Sequence, residues 1–332
     1  MLEIRRMSAD EVRAATSGGK RPPLEQSSVW EGFSAAEGNP VWQHLGWMED
    51  GKTVAVATFY CHEMTGAEFL WARRGPVWLK EATPQREQEL RGTLGQYVNA
   101  AAPNISFVRM HATYSAPDLE EPMRAIGYDR TIVINGGGGD RSAALALLPK
   151  EGRRTVNRAA KKMAQMGGII TRESPGDFGV YYELLCETAK RDGFTPHPKT
   201  HYERFLDLPG DAGRLYVARV DGQLAAWDLV GVNGQIGSAF YGASSQLSRE
   251  AQAVPALDFE IACLLGEEGM DGLDLMGIHS PRTPSLFDVG KYKVKFAVSP
   301  IDVPGLWDLP TKPWKYRALV AARDLKRAVL RG

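Results

Sequence analysis

The chain has no excess of charge of either sign. Its 332 residues hold 40 Lys+Arg and 40 Asp+Glu. No global basic field therefore draws it to nucleic acid, and an anionic partner must be met by a local patch. Neutral balance by itself reads as an enzyme of small molecules. Cysteine is scarce. Cys61, Cys186 and Cys263 are far apart and odd in number, which excludes a disulfide framework and reads as structural thiols in a reducing compartment. No Cys-x-x-Cys pair and no His-Glu-x-x-His is present, so no metal site is expected. The six histidines, His44, His62, His111, His197, His201 and His279, form no local cluster, and Pro196 and Pro198 argue against a regular helix through His197. Long apolar runs are missing too. Met1 to Met7 does not form a leader, and no stretch approaches the roughly 18 apolar residues of a membrane span. The expectation is a cytosolic protein whose membrane contact, if any, is peripheral.

What is present is an ordinary folding composition, 43% hydrophobic and 24% charged, in a chain long enough for two cores. Strand-like alternation over Leu2–Met7 leads into Ser8-Ala9-Asp10-Glu11, a capping box opening a helix. Val41–Trp47 and Thr53–Tyr60 read as a strand pair, continued by Phe69–Ala72. Pro84–Ala101 reads as a helix, Ser106–His111 as a strand, Asp118–Ile126 as a short helix and Asp129–Ile134 as a strand. Gly136-Gly137-Gly138-Gly139 is costly to order and reads as a linker, since no lysine follows in P-loop spacing. Helices are then expected over Ser142–Leu148, Gly152–Met166 and Phe178–Arg191. An antiparallel meander covers Leu215–Val220, Leu224–Val232 and Gln235–Tyr241, with Asp221-Gly222 and Asn233-Gly234 turns. Ala256–Glu268 reads as a helix, Gly272–Met276 and Tyr292–Phe296 as strands, and Trp314–Leu330 as a terminal helix. Both halves show the same order of helices, meander, helix and strand.

Charge is concentrated locally. Arg153–Lys162 holds five cations and no acid, and Arg154, Arg158, Lys161 and Lys162 lie on one helical face. This is either a solvated stripe or a groove for phosphates. The terminal helix adds Lys312, Lys315, Arg317, Arg323, Lys326, Arg327 and Arg331 against Asp324. Tyr241-Gly242-Ala243-Ser244 ends a strand with an aromatic and three small residues, which let a ligand approach the backbone. In Lys291-Tyr292-Lys293-Val294-Lys295 alternation puts three lysines on one strand face. Glu187, Asp228, Asp258 and Asp274 are possible bases, with no pairing legible.

Seven segments, in order, resemble the FemABX-type peptidyltransferases. They are Gln26–Phe33, Arg73-Arg74-Gly75-Pro76-Val77, the basic helix Arg153–Lys162, Glu187–Phe194, Tyr241–Ser244, Leu273–Ile278 and Tyr292–Phe296. The resemblance implies an α/β (α+β) protein of two tandem GNAT-like domains with mixed sheets flanked by helices. No coiled-coil arm is present in this chain. The domains would be 1–138, completed by 305–332, and 139–304. It implies an aminoacyltransferase that moves an amino acid from aminoacyl-tRNA to an amine of a peptidoglycan precursor stem peptide, with no cofactor beyond that co-substrate.

An ester donor is already activated, so positioning and oxyanion stabilisation suffice. Lys293 would be the cation near the reacting carbonyl and Tyr241 would orient substrate. His111 stands where the family often has an acid, and His111, His197 or the substrate's own groups are the candidates for the base that deprotonates the incoming ammonium. Trp30, Ser34, His197, His201, Ser244 and Tyr292 would line the substrate and tRNA site together with Arg154, Arg158, Lys161 and Lys162. Ser34, His197 and His201 depart from the family's lysine, arginine and tyrosine. Two of those replaced groups are cations credited with holding a nucleotide precursor's phosphates, so a lipid-linked precursor is the expected acceptor. Two alternatives stand beside this. One is an acyl-CoA-dependent N-acyltransferase, whose pyrophosphate loop Arg124–Asp129 fails to reproduce. The other is a non-catalytic RNA- or precursor-binding module.

Overall fold

A computed structural model describes residues 2–18, 21–123 and 127–329. The chain forms two compact units, one of residues 1–129 and 303–332, the other of residues 130–302. No helix among the described residues is long and apolar enough to cross a membrane.

The first unit opens with β1 (Glu3–Met7) and α1 (Ala9–Thr16). The capping box forms as its spacing predicts, Ser8 and Glu11 each accepting from the other's backbone N–H. Next come α2 (Ser28–Ala36), β2 (Val41–Glu49), β3 (Lys52–Met64), β4 (Ala67–Trp71), the short β5 (Val77–Trp78), α3 (Pro84–Ala101) and β6 (Ile105–Ala112). Strands β1 to β4 are an antiparallel meander, and α3 carries the chain over to β6, parallel to β4. Leu90, Leu94 and Val98, four apart, put the apolar stripe of α3 against the sheet. The helix expected over Asp118–Ile126 does not form in its described part. Residues 118–123 are irregular, held by a bridge between Glu120 and Asp308, and 124–126 lie outside the described residues.

The second unit begins with β7 (Arg130–Asn135), α4 (Arg141–Leu147), α5 (Lys150–Gln165), β8 (Gly168–Glu173), α6 (Gly179–Asp192) and α7 (Lys199–Leu206). It continues through β9 (Gly213–Val220), β10 (Gln223–Val232), β11 (Ile236–Ser244), α8 (Gln246–Ala251), α9 (Ala253–Glu267), β12 (Gly272–Gly277), α10 (Phe287–Lys293) and β13 (Ile301–Asp302). The sheet order is β13-β7-β12-β11-β10-β9-β8. Helix α9 is apolar nearly all round because it is sealed in the core, flanked by α5 on one face of the sheet.

The chain then returns to the first unit as β14 (Gly305–Pro310), antiparallel to β6, and α11 (Pro313–Val329). Each unit therefore repeats one plan: a four-strand meander, a crossover helix, a parallel fifth strand and an antiparallel sixth. The sixth strand of the second unit is β7, drawn from before its meander. That of the first is β14, drawn from after the second unit.

This places the boundary at 129/130 rather than at 138/139, and the return at 303 rather than 305. The glycine run is not a linker. Gly137, Gly138 and Gly139 adopt φ of 64°, 62° and 86°, a tight turn that side chains resist, and Gly136 abuts Gly266 of α9 with no room for a Cβ.

In the first unit, Arg109 forks onto Asp308 at 2.7 and 2.9 Å, and Tyr316 of α11 donates to the same carboxylate at 2.9 Å. Asp308 is 0% exposed. Asp308→Ala would strand the Arg109 guanidinium, so urea denaturation should show a loss of about 3–5 kcal/mol in the first unit. A change below about 1 kcal/mol would show that Arg109 is solvated rather than sealed.

Candidate functional site

In the second unit the parallel pair β11/β12 is incomplete. Only Ile236, Gly237 and Ser238 pair with Gly272, Leu273 and Asp274. Beyond them the strands part. In the first unit the corresponding pair stays closed. Glu68 to Trp71 pair with Ile105 to Arg109, and Ala72 N–H and His111 N–H extend the ladder to Arg109 and Gly75 carbonyls at 2.9 and 2.8 Å. The unpaired backbone of β11 and β12 is thus a feature of the second unit.

Two local irregularities open the gap. Strand β11 carries an extra residue at Phe240, where Leu229 pairs with Tyr241 but Val230 pairs with Ala239. Strand β12 turns at Met276, a non-glycine residue at φ 61°. Asp274 fixes that turn, its Oδ1 accepting from Met276 N–H at 2.7 Å and from the Thr131 hydroxyl. Such bulges re-aim backbone and end pairing. Lys293 occupies the result. Its Nζ donates to the carbonyl oxygens of Gly277 at 3.0 Å and Met276 at 3.5 Å.

Three further groups lie with Lys293. Tyr292 Oη donates to Asp258 Oδ2 at 2.5 Å, and the Asp258 carboxyl is close enough to that of Asp228 for each to shift the other's pKa. Asp228 faces Gly242 across the β10/β11 ladder, and a Cβ at Gly242 would meet Asp228 Oδ1 at 2.3 Å. Glycine is required there because the carboxyl group lies over it. Burial, then the neighbouring Asp258 carboxylate, raises the Asp228 pKa well above the carboxylate range. Burial pushes Asp258 up to about 6 against the pull of Tyr292, Asp228 and Lys293. Burial lowers the Lys293 pKa, opposed by Asp258, Asp274 and Asp228. Desolvation and like charge thus leave the pair holding a proton that isolated carboxylates would release.

The segment around Lys293 differs from the expected strand. Lys291 to Lys293 end α10, and Val294 to Phe296 form a 3-10 turn. Alternation is also compatible with a helix here, since Tyr292 and Phe296, four apart, turn inward with rings 5.2 Å apart. The three lysines share no face. Lys291 pairs with Asp288, Lys295 with Glu151, and Lys293 enters the gap. The Tyr292 hydroxyl is turned to Asp258.

Tyr241 lies on the opposite face of β11 from Asp228, packed on Phe205 and Tyr202, and meets His201 Nε2 at 2.8 Å. His197 stacks on His201 with ring centres 4.1 Å apart and is exposed, whereas His201 is buried. Ser244 joins this face through its backbone carbonyl, which accepts from Arg191 at 2.6 Å and Thr188 at 3.3 Å. Arg154, Arg158, Lys161 and Lys162 form an exposed stripe on α5, opposite buried Thr155, Val156, Ala159 and Met163.

In the first unit, Trp30 is buried against Phe33, ring centres 4.6 Å apart, and Ser34 is buried with its hydroxyl donating to the Asn39 carbonyl at 2.7 Å. Both side chains are packed inside the first unit. His111 sets its Nδ1 2.9 Å from the Pro304 carbonyl. The Asp228–Asp258 pair is not legible in the sequence. A carboxyl in the apolar run Ala225-Ala226-Trp227-Asp228-Leu229 is the one signal that points to it. Beside the gap, Ile278 and Val294 help line a largely apolar cavity of about 570 Å³, with Arg130, His279 and Phe287.

These features define a class: two GNAT-type acyltransferase folds in tandem, the second with an open β11/β12 gap. Residues 150–294 match the family model described as acetyltransferase (GNAT) domain. No curated protein matches the chain. Among solved structures it is similar to FemX, with TM-score 0.74 and 13% identity over 96% of this chain and 100% of that one. It is also similar to the C-terminal domain (DUF2156) of a putative lysylphosphatidylglycerol synthetase from Agrobacterium fabrum (TM-score 0.55, 14% identity, 95% of each chain covered). A third is a tandem GNAT protein from the clavulanic acid biosynthesis pathway (TM-score 0.55, 14% identity, 94% and 99% covered). In fold, the chain resembles FemX, two GNAT-like domains in tandem.

The buried pair carries a pH signature. A carboxyl whose pKa is higher folded than unfolded, where it is about 3.9, stabilises fully below the unfolded value. That contribution is lost as pH rises through the folded value, about 6 for Asp258. The thermal midpoint of Asp228→Asn relative to wild type should therefore climb between about pH 4 and pH 7. A difference flat with pH would show that the two carboxyls ionise freely.

Proposed function

We propose that the protein is an aminoacyltransferase that uses aminoacyl-tRNA and acylates an amine of a peptidoglycan stem peptide. One observation carries the reading: a lysine ammonium seated where β11 leaves β12, inside the unit that matches the GNAT model. Lys293 gives two N–H groups to carbonyls of β12 and keeps a third for the oxygen of a reacting ester. A cation fixed at a partly dry site stabilises the oxyanion that forms when an amine attacks. The fold is similar to FemX and to the C-terminal domain of a putative lysylphosphatidylglycerol synthetase, a name that speaks of a lysyl group joined to a lipid. The exposed stripe of α5 supplies charge for the tRNA backbone.

The acceptor we favour is lipid-linked. The Ser34 hydroxyl is committed to Asn39, and His197 brings no fixed charge, so neither rebuilds a phosphate site for a soluble nucleotide precursor. Phe287, Val289 and Val298 are exposed, Val298 at 84%, beside Lys291 and the apolar cavity. That combination suits peripheral contact with an anionic lipid surface at the inner face of the membrane.

The test is transfer of labelled amino acid from a mixed aminoacyl-tRNA pool to lipid-linked or nucleotide-linked stem pentapeptide. Amide product from aminoacyl-tRNA is expected, faster with the lipid-linked acceptor, and Lys293→Met should lower turnover by about 10²-fold or more. Product from acetyl-CoA but not from aminoacyl-tRNA would move the protein to acyl-CoA chemistry. Arg154→Glu with Arg158→Glu should weaken tRNA binding and flatten its salt dependence, by a slope of about 0.7–0.9 for each phosphate no longer neutralised. Unaltered binding and slope would leave the stripe as a solvated face.

A further inference from the structure

Aminolysis of an ester by a protonated amine requires a base, and Lys293 Nζ is engaged as a donor to the Met276 and Gly277 carbonyl oxygens. We infer that the Asp228–Asp258 carboxyl pair is the proton acceptor of the transfer site, with Asp228 as the member that meets the incoming ammonium. This deepens the aminoacyl-transfer reading and rests on it.

The geometry assigns distinct positions to the two carboxyls. Asp258, on the core helix α9, is buried, and its Oδ2 takes the Tyr292 hydroxyl. Asp228, on β10, is half-buried as a residue, and its Oδ1 lies over Gly242, in the stretch of β11 that has left β12. Among the described residues no donor reaches Asp228 Oδ2, although that atom is buried. A proton held between the two carboxyls supplies the missing hydrogen bond, and an unmet acceptor of this kind is costly without one. The charged and titratable groups facing the pair come from each element packed on it: Tyr292 and Lys293 from α10 and, toward Lys293, Asp274 from β12. The single cation among them keeps one negative charge tolerable on the pair, and Tyr292 holds Asp258 from behind. The chain thus offers a base that is ionised yet shielded from bulk water.

The step balances. The acceptor ammonium gives one proton to Asp228, and the freed amine attacks the ester carbonyl. A C–N bond forms and the C–O bond to the ribose breaks. The departing ribose oxygen takes the second amine proton, and the third remains on the amide. The carboxyl pair then returns its proton to solvent.

The experiment compares wild type, Asp228→Asn and Asp258→Asn in transfer from aminoacyl-tRNA, with two nucleophiles, across about pH 5 to 9, a range that includes the Asp258 value of about 6. One nucleophile is the stem-peptide amine, cationic near neutral pH. The other is hydroxylamine, already uncharged there and in no need of a base. With the peptide amine, Asp228→Asn should lose about 10²-fold or more in kcat/KM, within the range of general base catalysis. The wild-type rise in rate with pH through the ionisation of the pair should vanish. With hydroxylamine, Asp228→Asn should stay within about threefold of wild type, a rescue that a merely structural carboxyl would not show. Asp258→Asn should shift the acidic limb rather than abolish turnover. Equal loss with both nucleophiles, or an unchanged pH profile in Asp228→Asn, overturns the assignment. Wild-type inactivity toward every aminoacyl-tRNA, with Asp228→Asn folded, overturns instead the donor reading on which it rests.

Discussion

The second unit depends on a parallel strand pair that stops after three residues. A complete β11/β12 ladder would satisfy its own backbone and leave nowhere for a ligand. Stopped at Ser238 and Asp274, it leaves polar backbone unpaired between two inner strands of the sheet. Every neighbouring feature answers that break. Asp274 fixes the Met276 turn, Lys293 takes the freed carbonyls, and the carboxyl pair balances the ammonium. The first unit, built on the same plan, zips the equivalent gap shut and puts its polar resources into the Arg109–Asp308–Tyr316 knot instead. The two units thus share one plan and differ at this strand pair, closed in the first and parted in the second.

The electrostatics follow from that geometry. Asp228, Asp258 and Lys293 sit in a region of low dielectric, where isolated charges are expensive and paired ones are strongly coupled. Burial raises the carboxyls and lowers the lysine, and mutual attraction opposes both shifts. Such a cluster exchanges protons near neutral pH, which exposed carboxylates do not. The basic stripe of α5 is a separate device, fully solvated and suited to long-range attraction of a polyanion.

Much of the fold is legible in the sequence because local signals and the tertiary plan agree. The Ser8 capping box, the Asn233-Gly234 turn of the β10/β11 hairpin and the apolar run of α9 are each decided by short-range chemistry. Strand β7 reads as part of the first unit because nothing in Arg130–Asn135 says which sheet it joins; strand pairing is a long-range choice. The four glycines read as a linker because flexible linkers and strained turns demand the same residue. Lys291–Lys295 reads as a strand because five residues fit period 2 and period 3.6 alike. Lys293 stands out only through family resemblance. Asp228 and Asp258, on β10 and α9, are remote in sequence and meet only through packing. Trp30 and Ser34 carry motif likeness, and both are buried, Trp30 against Phe33 and Ser34 donating to the Asn39 carbonyl.

The central claim is that the donor's acyl group is held in the β11/β12 gap of the second unit. The most direct measurement is a crystal structure with an adenosine carrying an amide-linked amino acid at its 3′ position, a stable mimic of the tRNA terminus. The account predicts the amide oxygen within hydrogen-bond distance of Lys293 Nζ, between β11 beyond Ser238 and β12 beyond Asp274. A mimic bound on the first unit, or on the His201–Tyr241 face with the gap empty, would contradict it.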